Sequence, residues 1–176
     1  MESLVKTSVS HRKSTIPSAT SLNGNGAKYL SYREAWARIK LARRQGFFLE
    51  AVTIEESIIS DRLLSFLEKR CGLTLKDATK GNLNQIVQKW HGEASARLER
   101  DPVEEEALQS LNERLQAWRS GRNEVVHGMV KSKASPGNDH IDNFLQAAEA
   151  YAQSGERLAR DLDAWVRRQG KPKSPP

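Results

Sequence analysis

A single cysteine, Cys71, is the whole thiol complement of this 176-residue chain. One cysteine excludes a disulfide framework and a cysteine-rich zinc site, and it predicts a reducing compartment. No apolar run approaches the ~20 residues needed to span a bilayer, so no membrane segment is expected. The N-terminus lacks the apolar stretch of a signal peptide, because Leu4 and Val5 are soon followed by Lys6, Ser8 and His11. The chain therefore reads as cytoplasmic. No segment keeps a strand's alternation long enough to argue for a sheet. There is no internal repeat, no Gly-rich phosphate loop, no H-E-x-x-H and no serine nucleophile elbow. The acidic cluster Glu104, Glu105 and Glu106 has nothing beside it at ligand spacing, so no metal site is expected from it.

The net charge of +6 resembles a nucleic-acid signal until it is located. Residues 1–28 hold +3, residues 167–176 hold +4, and the body between them holds −1. Bulk electrostatics therefore give the body no affinity for a polyanion, and any such contact must be local. The leader 1–28 is rich in Ser, Thr, Gly and Asn without apolar periodicity, and it predicts disorder. Residues 29–168 form one helical domain, large enough for a proper core. Residues 169–176 form a disordered tail.

Within the domain, apolar residues at three- and four-residue steps predict helices. Ser31-Tyr32-Arg33-Glu34 reads as a capping box opening the first. Trp36, Ile39 and Leu41 give that helix an apolar side. Arg38, Lys40, Arg43 and Arg44 give it a basic side, which either faces solvent or meets a phosphate backbone. Phe47 to Arg70 makes the second helix, with Gly72 as its stop, and its wide apolar arc suits burial on more than one side. Leu83, Ile86, Val87, Trp90 and Ala94 mark the third. Pro102 suits the first turn of the fourth, whose N-terminal dipole the glutamates complement. Pro136-Gly137 marks a turn, after which a fifth helix runs to about Arg168 with Gly155 in mid-stripe, a sign of close approach by another helix. The fold class is all-α: an up-and-down bundle of four main helices plus a shorter one.

The fourth helix carries the chemistry. Leu108, Leu111, Leu115 and Trp118 make its apolar stripe, and the next position in line is Arg122, with the stripe resuming at Val125, Val126 and Met129. An arginine in a core stripe needs a partner, a dimer cleft or a ligand, because an unpaired buried charge is costly. Asn123 and His127 are four apart and share a face, and Ser120-Gly121 is a place for the helix to bend. On the second helix, Glu55 and Arg62 fall near the middle of the apolar arc and Glu56 nearer its edge. Two pairings of Glu55 are open: an internal one with Arg62, or one with Arg122 or His127.

The run Arg122-Asn123-Glu124-Val125-Val126-His127, followed by Gly128 and preceded by a leucine-rich helix, resembles the R-N-x-x-x-H signature of HEPN domains. The resemblance covers roughly Tyr29 to Trp165. It implies an all-helical, metal-independent endoribonuclease that needs no cofactor. Arg122, Asn123 and His127 are then the catalytic residues, Glu55 and Arg62 support them, and Arg119, Arg43 and Arg44 contact RNA. It also implies a homodimer, whose cleft brings two arginines and two histidines together, and an antitoxin partner in a toxin–antitoxin or phage-defence setting. Histidine, with an ordinary pKa near ~6.5, serves either proton transfer of 2′-OH attack, and arginine supplies a forked donor to phosphate oxygens. The alternative is a non-catalytic helical module that dimerises or binds RNA, a nucleotide or a protein partner.

Overall fold

The computed structural model describes residues 24–74, 82–97, 102–131 and 139–169. They form five helices: α1 Gly24–Arg44, α2 Phe48–Cys71, α3 Leu83–Arg97, α4 Pro102–Lys131 and α5 Asp139–Arg168. No strand occurs among the described residues. Most of the leader, the end of the tail and the segment with Pro136-Gly137 lie outside them. No helix of the described residues is long and apolar enough to cross a membrane.

Cross-helix pairs fix the directions. Lys28 reaches Asp61 at 3.0 Å, so α1 runs antiparallel to α2. Arg114 reaches Asp161, and Gln169 donates to Glu104 at 3.0 Å, so α4 runs antiparallel to α5. Arg62 lies 3.0 Å from Asp163, and the rings of Phe66 and Trp165 are 5.2 Å apart, so α2 and α5 run parallel. The four long helices thus alternate in direction, as the sequence predicts. Their parallel pair, α2 and α5, forms the central seam, and the shorter α3 packs against α2 and α4. α1 lies along one side of that seam and α3–α4 along the other.

The core follows from the stripes. Val52, Ile59, Leu63 and Leu67 of α2 meet Ala152, Leu158, Leu162 and Trp165 of α5, all fully or almost fully buried. Trp90 of α3 meets Trp165 edge-on, with ring centroids 5.3 Å apart. Large aromatics of this kind dominate core energetics, and truncating one costs about 3–5 kcal/mol. Gly72 closes α2 with φ +66°, and the Leu73 amide donates back to the Leu67 carbonyl at 3.2 Å. That satisfies the Leu67 carbonyl, and the helix ends where the predicted stop stands.

One local expectation is corrected, and a second position gains a packing role. α1 begins at Gly24, inside the stretch read as leader, so Ser31 is not its cap; the Ser31 hydroxyl donates to the Ala27 carbonyl one turn back. The capping box was a local signal overridden by tertiary anchoring, since Lys28 and Tyr32 both bind Asp61 on α2. At Ser120-Gly121, read as a place to bend, α4 continues as one helix. A side chain at Gly121 would overlap the Tyr151 ring of α5, so this glycine exists for close packing.

Candidate functional site

The motif helix presents Arg122 to a small cleft of about 120 Å³. α2 contributes Glu56, the start of α3 contributes Asn82, Leu83 and Asn84, and α4 contributes Arg119, Arg122 and Asn123. Asn82 is held there by capping α3, its Oδ1 accepting from the Gln85 amide at 3.2 Å. The Arg122 guanidinium donates to Asn123 Oδ1 at 2.7 Å and to Glu56 Oε2. Its buried Nε finds no acceptor among the described residues. About a quarter of the Arg122 side chain stays exposed, so the group is fixed without being sealed. Arg119 leans on Gln116 at 3.3 Å beside it.

This cleft holds two arginines against one carboxylate, a net charge of about +1 at neutral pH. Its size suits a phosphate group rather than a whole nucleotide, since ligand pockets run to several hundred Å³ (~300–1,000). His127 is exposed one turn further along α4, outside the lining of the cleft. Gly128 next to it meets nothing beyond its own helix within 4 Å of where a side chain would start, among the described residues.

Glu55 and Arg62 are not part of this site. Arg62 pairs with Asp163 and stacks on the Tyr32 ring, 4.0 Å from its centroid, locking α1, α2 and α5 together. Glu55 is fully buried, and neither of its oxygens has a hydrogen-bond partner among the described residues. It meets neither Arg62, Arg122 nor His127. It lies in the central seam, where a side chain at Gly155 would collide with Glu55 Oε2 and come within 2.7 Å of Trp118 Nε1. Burial, with Glu156 nearby and Arg43 opposing, pushes the Glu55 carboxyl up to about 8. Burial thus favours its neutral form, and an uncharged acid needs no counter-ion.

The residue that does meet Arg122 is Glu56, one position on. One residue is ~100° of helix, enough to turn a side chain from α5 towards α4. Nothing local to the sequence pairs Glu56 with Arg122, whereas Asn82, standing just ahead of an apolar-periodic run, is a legible cap. Of the residues expected to contact RNA, Arg119 lines the cleft. Arg43 and Arg44 line a separate groove between α1 and α5. Among the described residues, no three His, Cys, Asp or Glu side chains are grouped as metal ligands. No family model matches the chain, and no curated protein or solved structure does.

Proposed function

We propose that the chain is a metal-independent endoribonuclease of the HEPN kind, working as a homodimer. The observation that carries this reading is Arg122, fixed by Glu56 and Asn123 at a solvent-reaching cleft, one helical turn or so before an exposed histidine. In the proposed reaction His127 takes the proton from the ribose 2′-OH or gives one to the leaving 5′-oxygen. Arg122 and Arg119 neutralise charge building on phosphorus, and Glu56 orients Arg122. One histidine per chain serves one proton transfer at a time, so a second copy with α4 near the two-fold axis supplies the other. An antitoxin protein is the expected partner in such a setting.

The test is cleavage of total RNA by the purified protein in excess chelator. The proposal expects products ending in 2′,3′-cyclic phosphate and 5′-hydroxyl, and no cutting where the scissile residue is 2′-deoxy. Activity surviving His127→Ala, or a stable monomer by light scattering at micromolar concentration, overturns it. One observation favours a second reading, a non-catalytic dimerisation or binding module. The charge of Arg122 is already met by Glu56, as in a purely structural pair. A protein inert on every RNA tried supports that reading.

A further inference from the structure

The largest cavity among those described is not the motif cleft but the groove between α1 and α5, about 670 Å³. It shares no lining residue with the cleft. Its walls carry four cations, Lys40, Arg43, Arg44 and Arg160, against two carboxylates, Glu149 and Glu156. That local excess of positive charge stands out on a body whose sequence sums to −1.

The groove is built rather than incidental. Glu156 uses one oxygen for Arg43 of α1 and the other for Arg160 of α5, the latter at 2.8 Å. Those two hydrogen bonds outweigh burial and hold the Glu156 carboxyl below its usual range, so the clamp stays ionised. The Arg160 guanidinium lies over the Trp36 indole, 4.3 Å from the ring centroid. Its side chain is 58% exposed, so its outer face is open. An arginine stacked on a tryptophan offers a flat surface on which a base stacks, and such stacking tolerates any base. Lys40 and Arg44 are exposed and have no carboxylate partner among the described residues. They are spaced one turn apart on α1, where two cations can grip one phosphate.

We infer that the α1–α5 groove binds a nucleotide, its base against the Arg160–Trp36 stack and its phosphate between Lys40 and Arg44. A planar ring and a phosphate together account for both halves of the groove, and the volume lies in the range of small-molecule sites (~300–1,000 Å³). The nucleotide is either free or one residue of a strand. The inference does not depend on cleavage at Arg122.

Calorimetry on the whole protein, with Trp36 emission as a second signal, tests it. Trp36 is the useful reporter because Trp90, Trp118 and Trp165 are all buried. The probes are inorganic phosphate, AMP, and a short oligodeoxynucleotide that a 2′-OH-dependent nuclease does not cut. AMP binding that weakens about tenfold or more in Lys40→Ala/Arg44→Ala, and similarly in Trp36→Ala, supports a free nucleotide as ligand. The same sensitivity seen only with the oligonucleotide supports a strand. Phosphate binding as tightly as AMP, binding indifferent to the double substitution, or no saturable binding of any probe overturns the inference. Lys40 and Arg44 are exposed, so the double variant keeps its fold; an unchanged melting temperature checks this.

Discussion

Glu55 and Glu56 are the same residue at adjacent positions of one helix, and they live in opposite regions of the molecule. Glu55 points into the buried α2–α5 seam, finds no hydrogen-bond partner among the described residues, and has its neutral form favoured by burial. Glu56 points into the wet cleft between α2 and α4 and pairs with Arg122. In the seam the fold has shaped itself around an acid, through a glycine opposite and an indole beside it. In the cleft the acid shapes the site by aiming an arginine. The contrast teaches that a charged residue in an apolar stripe need not imply an ion pair. Protonation is the other way out, and helical phase alone decides which one a glutamate takes.

The largest separation between the two regions should come from His127→Ala. We expect RNA cleavage to fall by about 100- to 10,000-fold, with no change in the denaturation midpoint, because the side chain is exposed. Single-turnover cleavage and urea unfolding, run side by side, measure both halves. Gly155→Val is the converse. It forces a side chain against Glu55 and Trp118, and unfolding should show a loss of about 1–3 kcal/mol. Cleavage by the fraction still folded should persist, so a Gly155 variant that is stable yet inactive would break the division between seam and cleft.

Glu55→Gln sharpens it through pH. The folded value near 8 stands above the ordinary 4.5, so the folded protein keeps a proton that the unfolded chain has lost. Stability is then full below about 4.5 and falls as pH climbs to about 8, by at most about 1.4 kcal/mol per pH unit. The glutamine variant should lose that slope in denaturant titrations across the window. Glu56→Gln leaves Glu55 in place, so it should retain that slope and cost only about 1 kcal/mol, while lowering cleavage less than His127→Ala does. Smallest of all, Gly128→Ala in its open position should stabilise by about 0.5–1 kcal/mol, the opposite sign to Gly155→Val.

What could be read from the chain follows what is local. Stripes and punctuation placed α2 to α5, including the Gly72 stop and Pro102 start, because 3.6-residue periodicity and caps are short-range properties. The close approach at Gly155 was legible too, as a glycine in an apolar stripe. The start of α1 was not, because Gly24, Asn25 and Gly26 carry no helix signal and the helix is held from outside by Asp61. Gly121 looked like a hinge because its use depends on Tyr151, a residue of another helix. The motif put Arg122 and Asn123 at one cleft beside Arg119 but left His127 outside its lining, and the identity of the acid there turned on a single step of helical phase. No periodicity reports which residue 66 positions away a guanidinium will find.

The parallel α2–α5 seam also has a consequence in time. Its contacts join residues about 100 positions apart, as Glu55 and Gly155 are, whereas the α1–α2 and α4–α5 pairs are hairpins of neighbouring helices. Hairpins close over short loops and form early; a seam between them must wait until both are present, because loop-closure entropy comes before its reward. We expect folding speed to be governed by that docking event. Chevron plots of Ile59→Val, a conservative truncation of a buried seam residue, report how much of that seam exists at the barrier: a slowed folding limb means that the hairpins have already met there, and an accelerated unfolding limb means that they meet only afterwards.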